Sequence, residues 1–252
     1  MGKVIAVANQ KGGVGKTTTA VNLGACLAEK GKTVLLCDLD PQGNATSGLG
    51  VVAGRDTAYE VMLGTTPIKN AIVPTGCLGL SVLPADIRLA AADVELVETS
   101  RREYRFSEAI SDHRNSFDFI LIDCPPSLGL LTINALTAAN SVLVPIQSEY
   151  YALEGVTSLM NTISRIQHSF NKGLQLEGVV LTMFDGRTNL SLQVASEVKK
   201  HFRSKIFTTI IPRNVRLGEA PSHGQPIHQY DGRSVGAEAY RQLARELIER
   251  NA

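Results

Sequence analysis

The chain has no tryptophan, no cysteine pair at metal or redox spacing, and no apolar run of about 18 residues. The last absence excludes a membrane-spanning helix. Its four cysteines, at 26, 37, 77 and 124, form no CxxC and have no histidine cluster beside them. A disulfide framework and a zinc site are therefore excluded, and a reducing, cytoplasmic setting is expected. The five histidines, at 113, 168, 201, 223 and 228, show no ligand spacing either. Lys3 is followed by only five apolar residues, too few for the apolar core of a secretory signal. The tail, 238–252, lacks Phe and Trp, and its three glutamates balance three arginines, so it makes a poor anchor for anionic lipid.

The remaining composition is that of an ordinary globular chain: 252 residues, 44% hydrophobic and 19% charged. The net charge is only +1, but it is unevenly spread. Between Arg165 and Arg216 there are nine basic residues and three acidic ones, so the rest of the chain is net acidic. Such a window suggests a surface that faces a polyanion.

Short β-branched runs alternate with longer helical patterns. Strands are expected at 3–8, 33–38, 80–83, 117–123, 141–145, 176–182 and 205–211. Most are continuous apolar runs, as in strands buried on both faces of a parallel sheet. Helices are expected at 17–30 (closed by Gly31), 153–170, 190–202 and 236–251. The fold class that follows is α/β: a doubly wound, mostly parallel sheet with helices on both faces. Residues 1–252 read as one domain, with 51–79 decorating the sheet.

The strongest chemical signal is Lys11-Gly12-Gly13-Val14-Gly15-Lys16-Thr17-Thr18, between a predicted strand and a predicted helix. This is the context of a P-loop, whose backbone N–H groups and helix N-terminus cradle phosphate. Lys16 is expected on the β- and γ-phosphates and Thr17 on Mg2+. Gln10 stands where the usual pattern has its first glycine, and a second lysine, Lys11, follows it. The apolar run 117–123 ends in Asp123, as a Walker B strand does, with its carboxylate directed to Mg2+. Asp38-Leu39-Asp40-Pro41-Gln42-Gly43-Asn44 closes another strand. There Asp40 is the candidate to orient or deprotonate water, close to the metal, and Asp38 is placed nearer the metal and the loop. Guanine recognition is disfavoured, because the one Asn-Lys pair, Asn171-Lys172, lacks the aspartate of an NKxD motif. Cys124 reads as a small buried residue, and Tyr150-Tyr151 as packing or interface.

These motifs resemble the deviant Walker A, switch I and Walker B segments of the ParA/MinD superfamily. The match continues through Glu149 to Gly155, Thr182 to Asn189, and Ile211 to Ser222, and is closest to the chromosome-partitioning ParA proteins known as Soj. The resemblance implies an ATP- and Mg2+-dependent homodimer in which Lys11 touches phosphate on the opposite subunit and Gly12 keeps the interface flat. It implies Asp40 as the hydrolytic residue, Asp123 as the Mg2+-linked one, and Pro212, Arg213 and Asn214 near adenine. It further implies a nucleoid-associated protein that binds double-stranded DNA without sequence preference. Arg187, Lys199, Lys200, Arg203 and Arg216 would carry that DNA contact. A ParB-type centromere-binding protein would stimulate slow hydrolysis. Three other readings compete: a MinD-type membrane-cycling ATPase, an iron-sulfur reductase needing Cys77 and Cys124 at a dimer face, and a scaffold that binds nucleotide without hydrolysis. The tail composition, the cysteine placement and Asp40 respectively argue against them.

Overall fold

A computed structural model describes residues 2–149 and 152–252. Tyr150 and Tyr151 lie outside the described residues. Eight strands form one sheet: β1 (Lys3–Val7), β2 (Val34–Asp38), β3 (Val73–Pro74), β4 (Leu80–Leu83), β5 (Phe119–Asp123), β6 (Ser141–Gln147), β7 (Gln175–Phe184) and β8 (Ile206–Pro212). Their order is β3-β4-β2-β5-β1-β6-β7-β8, and only the short β3 runs antiparallel. All seven strands expected from the sequence are present. β3 has only two residues, too few for any periodicity to reveal it.

The central strands are apolar throughout because both of their faces are covered. Val4, Ala6, Leu35 and Cys37 point into one core, and Ile5, Val7, Val34 and Leu36 into the other. The second core is closed by α1 (Lys16–Glu29), through Leu23 and Leu27, and by the helix Val235–Arg250, through Tyr240, Leu243 and Leu247. The first is closed by the helices Arg105–Ile110, Leu130–Ala138, Ala152–Ser169 and Asn189–Phe202. The segment 51–79 decorates the sheet edge as expected. Its helix Ala58–Leu63 is started by a capping box in which Thr57 and Glu60 satisfy each other's backbone.

The strand order positions the site. From β1 the chain moves to β2 and β4 on one side, returns to place β5 between β2 and β1, and then builds β6, β7 and β8 on the other side. The loops after β1 and β5 therefore leave the sheet side by side at its carboxyl edge, where open α/β sheets bind ligands.

The outermost strand, β8, carries backbone donors beyond the ladder. Glu246 on the C-terminal helix accepts from the backbone N–H groups of Thr208 and Thr209, at 2.8 and 2.9 Å, and from both threonine hydroxyls. Burial opposes the charge, but these donors together hold its carboxyl below the usual glutamate range. Glu246→Ala is expected to destabilise the chain by about 2 kcal/mol, the scale of hydrogen bonds to a charged group. Because the folded-state pKa is depressed, the contribution is complete above the ordinary glutamate range and fades as pH falls through the lower folded value. Thermal melts of both proteins should therefore differ most near neutrality and converge in acid.

Candidate nucleotide-binding site

The loop after β1 adopts the backbone that its glycines permit. Gly13 and Gly15 have φ of 75° and 87°, left-handed values where a side chain would be strained. A Cβ built on Gly12 or Gly13 would meet nothing within 4 Å, so this surface is open. Gly15 is the N-cap of α1 and brings no side-chain cap, which leaves the first helical N–H groups pointing at the loop. Lys16 is buried, and its Nζ donates to the Lys11 carbonyl at 3.1 Å across the loop. Burial lowers the Lys16 pKa, opposed chiefly by the charge of Asp123.

Three aspartates gather at the carboxyl ends of β2 and β5, and the structure gives them different tasks. Asp38 and Asp123 are register partners across β2–β5. Asp38 is fully occupied. Its Oδ2 accepts from the Thr46 backbone N–H at 2.9 Å and from the Thr46 hydroxyl at 2.7 Å, and its Oδ1 accepts from the Asp40 N–H. The Thr46 hydroxyl in turn accepts from the Ala85 N–H. Asp38 thus organises the loop of residues 39–46, rather than serving the metal as the sequence suggested. Burial is the main reason its pKa rises to about 6. Asp40 is also buried; its Oδ1 accepts from the Gln42 N–H at 3.0 Å.

Asp123 is completely buried, and neither of its carboxylate oxygens has a hydrogen-bond partner among the described residues. Desolvation first, and then the neighbouring Asp38 charge, push its pKa well above the usual carboxylate range; the Thr17 hydroxyl and Lys16 pull the other way. An orphaned carboxylate of this kind calls for a cation. Among the described residues no group of three His, Cys, Asp or Glu side chains could hold a metal alone. A divalent ion here fits only with oxygen ligands of another kind, such as the Thr17 hydroxyl, phosphate and water, which is how Mg2+ is usually held.

Beside the loop lies a mostly apolar cavity of about 360 Å³. Pro212, Arg213 and Asn214 line it, as the sequence led us to expect, together with Gly15 and Thr18. Asn214 also caps the short helix Val215–Glu219. Met183 and Tyr240 line the cavity as well and were missed. Tyr240 is buried and shares a hydrogen bond with the Thr19 hydroxyl at 3.2 Å, so its sequence signature was simply that of a core position. Met183 has φ of 49°, a left-handed value that an unbranched hydrophobic residue rarely takes, and the β7–β8 register breaks around it. The adjacent Thr182 hydroxyl donates to the Val14 carbonyl at 2.8 Å, fastening β7 to the loop. No sequence rule marks a strained methionine.

Comparison with known proteins agrees with this geometry. A protein family described as an AAA domain matches residues 2–176. The sporulation initiation inhibitor protein Soj of Bacillus subtilis is 57% identical over 249 residues, spanning 98% of both chains. The chromosome partitioning protein ParA of Caulobacter vibrioides is 52% identical, over 98% of this chain and 94% of its own. The chain belongs to the ParA family. Among solved structures, a Mycobacterium smegmatis protein described as cobyrinic acid a,c-diamide synthase, with bound ATP analogue and magnesium, is 41% identical. It covers 99% of this chain and 95% of its own, with a TM-score of 0.86. The cell division ATPase MinD of Pyrococcus furiosus is 29% identical over the full length of both chains, with a TM-score of 0.84. The P-loop fold expected from the sequence is therefore that of the ParA and MinD proteins.

Within this ParA-family chain, the second lysine is directed away from its own phosphate cradle. Lys11 Nζ pairs with Glu149 Oε2 at 3.2 Å, and Glu149 is itself held by the Gln147 amide. The basic residues are more scattered than the sequence implied. Lys199 and Lys200 lie on the helix Asn189–Phe202, with Arg203 just after it, packed on the first core. Arg216 belongs to the helix Val215–Glu219, whose Leu217 packs in the second. Arg187 pairs with Asp185, Lys200 with Glu197, and Arg216 with Glu219. The four cysteines are free and buried, with Cys77 in the second core and Cys124 in the first. That puts the two candidate cluster ligands on opposite faces of the sheet.

The strain at Met183 gives a separable prediction. Met183→Gly should fold at least as stably as the parent, since glycine removes a backbone cost of about 1 kcal/mol or more. It should nevertheless lose nucleotide affinity by roughly ten-fold, as expected when a side chain worth about 1.4 kcal/mol to the bound base is removed. Thermal melts and ATP titration, read side by side, check both halves.

Proposed function

We propose that residues 1–252 form one Mg2+-dependent ATPase domain that acts as a DNA-partitioning switch. The observation that carries this reading is the buried, partnerless Asp123 carboxylate beside Thr17, at the foot of the loop whose N–H groups and Lys16 make an anion cradle. Cation and polyanion sites of this kind, side by side, suit Mg-ATP. The cavity next to them is of a size and polarity to take the base. The ATP analogue and magnesium in the Mycobacterium smegmatis relative support the same ligands here.

In this reading Lys16 and the N-terminus of α1 hold the β- and γ-phosphates. Thr17 and Asp123 hold Mg2+, which when bound supplies positive charge against the phosphate oxygens. Asp40 orients the attacking water and receives its proton. Lys11 leaves Glu149 and reaches the phosphates of a second copy across the open surface at Gly12, neutralising charge as the terminal phosphate departs. Hydrolysis removes the shared charge, and the dimer separates.

The names of the Soj and ParA relatives support chromosome partitioning as the process served. The dimer would then bind double-stranded DNA through Arg187, Lys199, Lys200, Arg203 and Arg216, contacting phosphates without reading sequence. A ParB-type protein would stimulate the hydrolysis, and the chain would sit in the cytoplasm on the nucleoid. A membrane-cycling role is less supported. The apolar face of the C-terminal helix (Tyr240, Leu243, Ala244, Leu247) is already buried against the sheet, and no described helix is long and apolar enough to cross a membrane.

Phosphate release and retention on random-sequence duplex DNA, measured with ATP and with ADP at two salt concentrations, test this function. ATP-dependent retention that weakens steeply with salt is expected. Absence of retention with ATP at low salt would remove the DNA reading.

A further inference from the structure

An apolar stripe lies unpartnered on the surface between the two loops that would sense the terminal phosphate. Ile87, Ala90, Val94 and Val97 recur at helical spacing through the turns Ile87–Ala91 and Ala92–Glu95. All four are exposed, Ile87, Val94 and Val97 at 68%, 74% and 55%, while Leu89, Ala92 and Leu96 of the same segment are buried in the first core. The segment is therefore anchored by one face and offers the other to solvent. Isolated exposed apolar residues are ordinary, but an ordered stripe of this kind marks an interaction surface.

Both ends of the segment touch the nucleotide loops. The Ala85 carbonyl lies 2.8 Å from where a Cβ on Gly43 would stand, so it packs on the loop that carries Asp40. The Asp93 carboxylate lies 3.0 Å from the corresponding position on Gly129, in the loop that follows β5 and Asp123. A load on the stripe is thus a load on both loops.

The flanking charge selects the occupant. Residues 93–98 contain Asp93, Glu95 and Glu98 and no basic residue. Asp93 and Glu98 form no ion pair among the described residues, whereas the nearest cation, Arg88, is already paired with Asp86 and Glu60. We infer that this stripe is the docking surface for a cationic amphipathic segment of the hydrolysis-stimulating partner. Apolar side chains of that segment cover Ile87, Val94 and Val97 while its basic residues meet Asp93 and Glu98. The inference rests on the reading of the chain as a partner-stimulated ATPase. It adds where the partner binds and why binding reaches the catalytic loops.

The test compares wild type, Val94→Ser/Val97→Ser and Asp93→Lys/Glu98→Lys, using full-length chains and a purified ParB-type protein loaded on its DNA site as the probe. All of these positions are exposed, so folding is preserved, and unstimulated hydrolysis and ATP-dependent dimerisation should match the wild type. The half-maximal partner concentration should rise about ten-fold or more in each double variant, the loss expected when central anchors or a complementary charge pair are removed. Wild type unstimulated by the partner would overturn the partner reading itself. Wild type stimulated, with both variants responding equally, would overturn the docking surface and leave the partner reading standing. Loss of ATP-dependent dimerisation without partner would assign the stripe to the contact between copies instead, and overturn the inference as well.

Discussion

Replacing Asp123 by alanine should make the nucleotide-free chain more stable while abolishing its turnover. Ordinarily, truncating a side chain in the centre of a parallel sheet destabilises. Here the side chain is a carboxylate that is fully buried and has no hydrogen-bond partner among the described residues. The ordering of influences on it decides the sign. Desolvation is the largest and repulsion from Asp38 the next, and both disfavour the charged form, while the attraction of Lys16 is the smallest named. Removing an unsatisfied buried polar group returns about 2 kcal/mol, which for a chain of this size raises the melting temperature by about 5 °C. Hydrolysis should fall by about 100-fold or more, as when a preorganised electrostatic group is lost from an active site. Calorimetry without nucleotide and phosphate release with Mg-ATP measure the two effects. A variant that melts lower than wild type would show that Asp123 is satisfied in the resting chain. The stability that the fold gives up at this position is what a cation site requires.

Lys11→Ala should separate binding from turnover. Lys16 is tied into its own loop by the bond to the Lys11 carbonyl, a backbone contact that the substitution keeps. Nucleotide binding by a single chain should therefore stay within a few-fold of wild type. The Lys11 ammonium instead pairs with Glu149, about one-third exposed, and a half-exposed ion pair of this kind contributes at most about 1 kcal/mol. Folding should be almost unaffected. In the proposed dimer the same ammonium acts in trans, and such a charge is worth about 10³-fold or more in phosphoryl transfer. ATP titration, light scattering with ATP, and phosphate release make the comparison. Wild-type turnover in Lys11→Ala would place the trans role elsewhere, whereas loss of nucleotide binding would mean that Lys11 serves its own subunit.

The motifs were legible because their chemistry is local. A glycine-rich loop between strand and helix can be read in consecutive residues, as can an aspartate that closes an apolar run. The seven long strands were legible because burial on both faces writes them as continuous apolar runs. The division of labour among the aspartates was not. Asp38 and Asp40 stand two positions apart and look equivalent in the sequence. Only the fold brings Thr46 back to saturate Asp38 and leaves Asp123, on a neighbouring strand, without a partner. Likewise the basic window from 165 to 216 is continuous in the chain, but the sheet divides its residues between two faces.

The sequence by itself determined the fold class, the family and the phosphate loop, since these follow from periodicity and from residues adjacent in the chain. The tertiary structure decided which carboxylate lacks a partner, which side chains wall the base cavity, what Lys11 touches in a single chain, and that an apolar stripe joins both catalytic loops. Each of these depends on contacts between residues distant in sequence. Burial and electrostatic pairing are set by such contacts, and no local pattern encodes them.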